Sequence, residues 1–591
     1  MDTMSNIFKM FRYALPYKKQ MFWAIFGMIV QVGVAFVIPF IMQYIIDDAL
    51  VTRNFTMVIT LSLLMLVLAF LGIAAGFLNI YTSQYISQHA SAELRLDLFN
   101  KIQTLSFKNI DDFKVSRLIT NATNDIVRVQ MFFTMMLRMI IRAPMMIIIG
   151  LVLAISTSLQ LSQVFYITMP LLIISVIIIM VFAYPRFKRV QVSLDNLNNT
   201  VLENANAPQV IKSFVSQPHE VDRFEQANEN YRQVNTSAES LMAFAEPVIF
   251  LIFNLGVALI LLFGARYFEM GHEAFFIDGR PRVGLLMAFN QYSQQILVGL
   301  MMFAFMMIFV SRADVSAARI NEIFRAKIDL ENPQDGKKLT LKGAIDFEDV
   351  SFGYGANGNK VLNNISFKIA AGEKIGIIGS TGSGKSSLVS LIPRLYDPQR
   401  GRIYIDGERL DHLDIPTLRN QIGFVTQQAT IFSGSIATNV LQGDEAASLA
   451  SLENASKDAL IYDFAKEQEA YFNHLVKAKG TNLSGGQKQR ISIARALIRK
   501  PKILILDDST SAVDLSSERK ILRAINALEY NPTLLMISQK VASVRRMDKI
   551  LVLNNNGEID GFGTHESLMK SSKVYQEIAK SQLDIGGEQR G

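Results

Sequence analysis

Nine residues, Gly379-Ser380-Thr381-Gly382-Ser383-Gly384-Lys385-Ser386-Ser387, carry the types and spacing needed to hold a polyphosphate. Glycines let successive backbone N–H groups turn toward one anion, and a following helix N-terminus adds its positive partial charge. Lys385 can reach the terminal phosphates, and the Ser386 hydroxyl can ligate Mg²⁺. The run before it, Lys374-Ile-Gly-Ile-Ile378, is apolar and β-branched and reads as a buried strand, whereas Leu388-Val-Ser-Leu-Ile392 reads as the first turns of a helix. The alternative is a plain Gly/Ser turn. Every fixed position of a phosphate-binding loop is filled in the right context, however, so the expectation is a nucleoside triphosphate site. Lys502-Ile-Leu-Ile-Leu-Asp507 is a second buried-strand run, ending in a carboxylate. Beside such a loop, a carboxylate at a strand end holds Mg²⁺ through water. Leu483-Ser484-Gly485-Gly486-Gln487-Lys-Gln-Arg490 opens a helix whose amides are again available to an anion. Tyr354, in Val350-Ser-Phe-Gly-Tyr354, lies upstream where its ring could stack on adenine.

These groups need an α/β core to position them, and the chain supplies one only in its second half. From Gly343 onward short strands and turns alternate at ordinary soluble composition, after a charged connection from Ser311 to Pro333. The first half is different. Met1 to Gln20 reads as a basic surface-lying helix. Met21 to Ile46 and Thr56 to Gln84 are each long enough to cross a bilayer. A third span ends at Ser156, running from Ala143 and entered some residues earlier. Val164 to Tyr184, Pro247 to Ala265 and Gly284 to Val310 complete six. Between them, Ser87 to Arg142 and Pro185 to Ala245 are long, charged and helical in pattern. They hold Arg95, Lys101, Lys108, Arg186, Lys188 and Arg189, so the positive-inside bias places them and both termini in the cytoplasm.

Composition narrows the function classes. Of 591 residues half are hydrophobic and 19% charged, well below soluble usage. Much of the excess behind the net charge of +7 lies in loops flanking apolar spans, so it does not need nucleic acid to explain it, and no nucleic-acid partner is expected. With no cysteine, disulfides, zinc fingers and Fe–S clusters are excluded, and the six histidines show no metal-ligand spacing. The N-terminal apolar run is too long for a cleavable signal. Within the spans, the cluster Asn290, Gln291, Gln294 and Gln295 is the candidate wall of a wet substrate cavity; interhelical hydrogen bonding is the alternative. The abundant methionines fit either a cavity for apolar ligands or lipid-facing packing.

Two phosphate-directed helix N-termini in one domain, with Ser484–Gln487 reading Ser-Gly-Gly-Gln, resemble an ATP-binding-cassette (ABC) transporter of the exporter type over nearly the whole chain. The resemblance implies an N-terminal all-α six-helix transmembrane domain with long cytoplasmic extensions. It implies a C-terminal α/β P-loop ATPase domain with a β subdomain and a helical subdomain. The expected boundaries are 1–20 for the interfacial helix, 21–311 for the membrane domain, 312–342 for a linker, 343–580 for the ATPase and 581–591 for a tail. It further implies that Tyr354 stacks on adenine and that Gln427 joins Ser386 and Asp507 around Mg²⁺. Asp514, in Ser511-Ala-Val-Asp514, would lie at the dimer seam, and Leu105 to Leu118 and Glu203 to Phe214 would be coupling segments. ATP would lie between one chain's P-loop and the other chain's Ser-Gly-Gly-Gln, which makes one chain half a transporter.

The chain departs from this pattern at three places. Asp508 stands where the family has its hydrolytic glutamate, Gln539 replaces the switch histidine, and Ala478 replaces an acidic residue. A general base must reach its water within about 2.6–3.2 Å. Aspartate withdraws the carboxylate by more than an ångström, and a displacement of about 1 Å can cost on the order of 10²-fold in rate. Gln539 can still hydrogen-bond a phosphate but carries no positive charge. The site is expected to bind ATP and hydrolyse it poorly. Because Ser484–Gln487 is intact, the expected partner is a second, distinct half-transporter, giving a heterodimer that exports amphiphilic, multidrug-like compounds across the plasma membrane. The alternatives are a lipid, peptide or haem/thiol exporter, a homodimer with slow turnover, or a nucleotide-sensing regulatory subunit. A soluble mechanical ATPase, as in DNA repair, is set aside by the apolar spans.

Overall fold

The computed structural model describes residues 4–277, 279–354, 360–509 and 514–587. They fall into two compact units, Met1–Gln103 with Ser116–Arg325, and Thr104–Val115 with Ala326–Gly591.

The first unit is helical apart from the small hairpin Phe276–Ile277 and Arg280–Pro281. Among the described residues five helical stretches are long and apolar enough to cross a membrane: Leu15–Ala49, Phe55–Thr104, Val115–Thr157, Leu161–Asn206 and Gln217–Glu269. The sixth expected span, Gly284 to Val310, lies on the 43-residue helix Val283–Arg325, several of whose side chains fall outside the described residues, and it is not among the five. A bilayer needs about 20 residues, yet these stretches run from 35 to 53. Most of the surplus is polar, helical sequence that follows the apolar run in Phe55–Thr104 and Leu161–Asn206 and precedes it in Val115–Thr157 and Gln217–Glu269.

Shape and polar anchors both lock the bundle. Phe165 stacks on Phe289 at 5.4 Å, and Phe36 meets Tyr292 at 6.0 Å in a buried core. At one end, Asp47 caps the last long helix: its carboxylate accepts from the backbone N–H of Gly284 at 2.6 Å and of Leu285 at 3.1 Å. A carboxylate there meets the helix's unpaired N–H groups and its positive end. Only glycine fits at 284, because a Cβ would come within 2.7 Å of the Gln43 carbonyl.

Farther along, the fully buried Asp125 gathers Asn121, Ser316 and Arg319. It accepts from Asn121 Nδ2 at 2.9 Å and Ser316 Oγ at 2.7 Å, with the Arg319 guanidinium at 3.5 Å. Truncating it strands these donors, a loss of about 2–3 kcal/mol once the half-exposed arginine is discounted. Asp125→Ala is therefore expected to lower the melting temperature of the detergent-solubilised protein by several degrees, and Asp125→Asn by less. Equal melting of all three would remove the anchor from this account.

In the second unit a six-stranded sheet runs Ile559–Gly563, Lys549–Leu553, Lys374–Gly379, Thr533–Ile537, Ile503–Asp507, Ile422–Val425 from edge to edge. All neighbours are parallel except the first pair. Thr533–Ile537, Ile503–Asp507 and most of Lys374–Gly379 are buried, which explains their continuous apolar runs. An antiparallel sheet of Lys360–Ile369, Ile345–Gly353, Arg400–Ile405 and Glu408–Arg409 forms the β subdomain. Leu449–Asp458 and Gly485–Leu497 pack with short helices around a second core to form the helical part.

The short helix Phe107–Phe113 belongs to this unit although it follows the long apolar helix in sequence. Ser106 and Asn109 close a reciprocal capping box at its start. Asp111 accepts a hydrogen bond from Tyr396 Oη at 2.9 Å, and Lys108 pairs with Asp329 at 3.0 Å. Removing the Tyr396 hydroxyl is expected to cost about 1 kcal/mol at this exposed position. In Tyr396→Phe, amide exchange at Phe107–Phe113 should accelerate severalfold; unchanged exchange would show that the hydroxyl does not hold the helix.

Candidate ATP site

Strand register assembles the site. Asp507 pairs with Ile537, Ile537 with Ile377, and Gly379 with Leu553, so the parallel strands end at one edge of the sheet. Residues just beyond those ends therefore converge: Gly379–Ser387, Asp508, Gln539 and Gln427. Ligand sites in open α/β sheets form at such carboxyl ends.

The loop backbone depends on glycine where it bends. Gly382 and Gly384 have φ of +84° and +90°, a region L side chains rarely adopt. A Cβ on Gly384 would also come within 2.8 Å of Leu362, and one on Gly379 within 2.5 Å of the Leu553 carbonyl. Lys385 Nζ donates to the carbonyls of Gly379 at 3.0 Å and Ser380 at 2.6 Å, and lies 3.3 Å from Ser383 Oγ. Burial lowers the Lys385 pKa, opposed by the charges of Asp508 and Asp507. Lys385 opens the helix Lys385–Leu391, and Ser387 on it hydrogen-bonds Tyr354 Oη at 2.9 Å. Thus Tyr354, half-exposed and edge-on to Phe352 and Tyr396, is tied to the phosphate-loop helix. Tyr396 was not legible as part of this site; its only sequence signal is an aromatic soon after the phosphate-loop helix.

Ser386 Oγ donates to Asp507 Oδ1 at 2.9 Å. A hydroxyl and a carboxylate oxygen so placed are the hard donors Mg²⁺ takes, so the residues fit the cation. Burial raises the Asp507 pKa, offset by the Ser386 hydrogen bond. Asp508 follows in the left-handed region, at φ +45°. Its Oδ2 accepts from Gln539 Nε2 at 3.1 Å and from Gln427 Nε2 at 3.4 Å. Burial raises its pKa as well, opposed chiefly by the Gln539 hydrogen bond. The structure therefore brings Gln427 to Asp508, not to Asp507.

Ser484 caps the helix Gly485–Leu497: its Oγ accepts from Gln487 N at 3.3 Å, and Gln487 Oε1 accepts from Ser484 N at 2.8 Å. Gly485 and Gly486 follow the cap, so the first turn carries no side chains ahead of Gln487. Asp514 caps Leu515–Asn526, and hydrogen bonds from Ser516 and Ser517 hold its carboxyl well below the usual range. The rest of the expected seam, Ser511–Val513, lies outside the described residues. In the membrane unit Asn290, Gln294 and Gln295 are half-buried and Gln291 is exposed; none lines the cavity described below.

Comparison with known proteins accounts for both units. Residues 21–301 match the ABC transporter transmembrane region and residues 362–511 match the ABC transporter family. The chain is 38% identical to the uncharacterized ABC transporter ATP-binding protein YfiB of Bacillus subtilis, over 98% of this chain and 99% of that one. It is 34% identical to the putative ABC transporter ATP-binding protein MG014 of Mycoplasma genitalium, over 90% and 86%. Its fold is similar to a bacterial Atm1-family ABC exporter solved with ATP bound, with TM-score 0.78 and 23% identity over 96% and 98% of the two chains. The heterodimer with a second, distinct half-transporter expected from the sequence is corrected at this point: the Atm1-family exporter that shares this fold is a homodimer. Intact Ser484–Gln487 beside altered Asp508 and Gln539 is not evidence of a division of labour, since one chain can carry both in each copy. With an apolar helical unit that makes it a multi-pass membrane protein and an extramembranous ATP-binding unit on one polypeptide, the chain belongs to the ABC transporter family.

Proposed function

We propose that two copies of this chain pair, through six spans each, to export amphiphilic small molecules, and that each composite site binds ATP firmly and cleaves it slowly. The observation that carries this reading is the setting of Asp508. The loop, Lys385, and the Ser386–Asp507 pair are intact, whereas the base position holds a short carboxylate bracketed by Gln539 and Gln427.

In this reading Lys385 and the loop amides bind the β- and γ-phosphates, and Tyr354 stacks on adenine. Ser386 and Asp507 would hold Mg²⁺, which would screen the phosphate charge, and Gln427 would join them on leaving Asp508. Asp508 orients the attacking water from farther away than a glutamate would. Gln539 holds Asp508 by its amide and can hydrogen-bond the γ-phosphate, without moving a proton. Ser484, Gly485, Gly486 and Gln487 present a capped helix N-terminus to the nucleotide of the other copy, and Asp514 lies at the seam. Nucleotide binding then draws the copies together, and slow hydrolysis releases them. The test is ATP-driven uptake of a fluorescent amphiphile into inside-out vesicles holding only this chain. Uptake that tracks ATP turnover supports export; turnover with no movement of any amphiphile would leave a regulatory role.

A further inference from the structure

The membrane unit carries a half-open cavity of about 450 Å³, within the range of small-molecule sites, about 300–1,000 Å³. Its wall holds two arginines, Arg138 and Arg142, with Gln31, Gln84 and Gln130 around them and Met302 among four methionines. Among the described residues no carboxylate lines it. Arg142 Nε is buried and has no hydrogen-bond partner. As whole residues Arg142 is partly buried and Arg138 exposed; a guanidinium carries five N–H donors, and even partial burial of its charge without a counter-charge is costly. Neutral amides cannot neutralise it.

Depth sharpens the point. Arg142 begins the sixteen-residue helix Arg142–Thr157, which at 1.5 Å per residue is about 24 Å long. That places it within a hydrocarbon layer of about 30 Å, toward the cytoplasmic face. Arg138 lies on a wide π-helical turn, Met136–Ile140, of a kind frequent at functional sites. Intramembrane charges of this sort mark substrate paths. The methionines beside them offer adaptable apolar wall.

We infer that this cavity takes an amphiphile with an anionic headgroup, phosphate or carboxylate, its head held by Arg138 and Arg142 and its tail against the methionines. The inference rests on the export reading and names its substrate class. The test uses the full chain in phosphatidylcholine nanodiscs, with three probes: dodecyl phosphate, dodecyltrimethylammonium and inorganic phosphate. Dodecyl phosphate is expected to bind. Arg138→Gln and Arg142→Gln should each weaken it about tenfold to a hundredfold, the loss of one charge-assisted hydrogen-bonding group. Arg142→Lys should keep most of the affinity. Arg142→Glu should shift preference toward the cation, a gain that misfolding cannot produce. Competition by phosphatidylglycerol added to the nanodisc would assign the headgroup to a bilayer lipid, and its absence to a free amphiphile; both keep the anion site. Equal binding of the cation, indifference to both glutamine variants, or inorganic phosphate binding as tightly as dodecyl phosphate would overturn it. In vesicles, ATP-driven uptake of the cation alone would sink the anion preference and leave export standing, whereas uptake of neither would sink both.

Discussion

Asp508→Glu is expected to raise the rate of ATP hydrolysis about tenfold to a hundredfold, with little change in ATP affinity. The reasoning is positional. Asp508 follows the strand carrying Asp507 and is held by amides of Gln539 and Gln427. It is 8% exposed, so it cannot swing far toward a water. One methylene adds more than an ångström of reach, and an offset of about 1 Å at a reacting group is worth on the order of 10²-fold. The gain should fall on kcat, because the base acts in the transition state and not on the bound nucleotide. Adding Gln539→His should raise the rate further, since a histidine can carry charge against the γ-phosphate. Steady-state turnover of the purified protein decides it. A rate that stays flat in Asp508→Glu would mean that the aspartate already reaches its water and that slowness, if present, lies elsewhere.

The second large effect is a loss. Lys385→Ala removes the one ammonium inside the phosphate loop, where burial has already lowered its pKa and two carboxylates hold it charged. Such a preorganised charge acts on the phosphoryl oxygens as negative charge redistributes, and removal of one stabilising donor costs about 10²–10³-fold in kcat. Hydrolysis is therefore expected to fall to background, with nucleotide affinity reduced as well. The fold should survive, because the loop bends on Gly382 and Gly384, not on the lysine. Chelating Mg²⁺ should silence the wild type to the same floor, since the Ser386–Asp507 pair would then hold no metal to screen the phosphates. Residual turnover well above that floor in Lys385→Ala would argue that the measured activity belongs to a contaminant or to another site.

The two halves of the chain were not equally legible. The nucleotide site could be read because its chemistry is local: nine consecutive residues, one strand-end carboxylate and one helix cap each state their role within a few positions. Register then did what sequence spacing cannot, bringing Gln427, Asp508 and Gln539 to one edge through parallel pairing. Tyr396 and Phe107–Phe113 were invisible as neighbours because their meeting depends on a contact across 285 residues. The arginine pair was missed for a different reason. A charged helix pattern ending at Arg142 reads as cytoplasmic, yet the helical path runs on past the π-helical turn Met136–Ile140 into the apolar helix Arg142–Thr157. Charge pattern marks where lysines and arginines are numerous; it does not mark which ones turn inward. The polar cluster Asn290–Gln295 shows the converse, since a run of amides spreads around the helix and includes the buried core residue Tyr292.

Nucleotide stoichiometry and turnover, measured together on vesicles holding this chain alone, bear most directly on self-pairing with slow cleavage. The expected result is a dimer binding two ATP and hydrolysing them slowly, with cargo moved in step. An inert chain that turns over ATP and moves cargo only after a different half-transporter is added would contradict it.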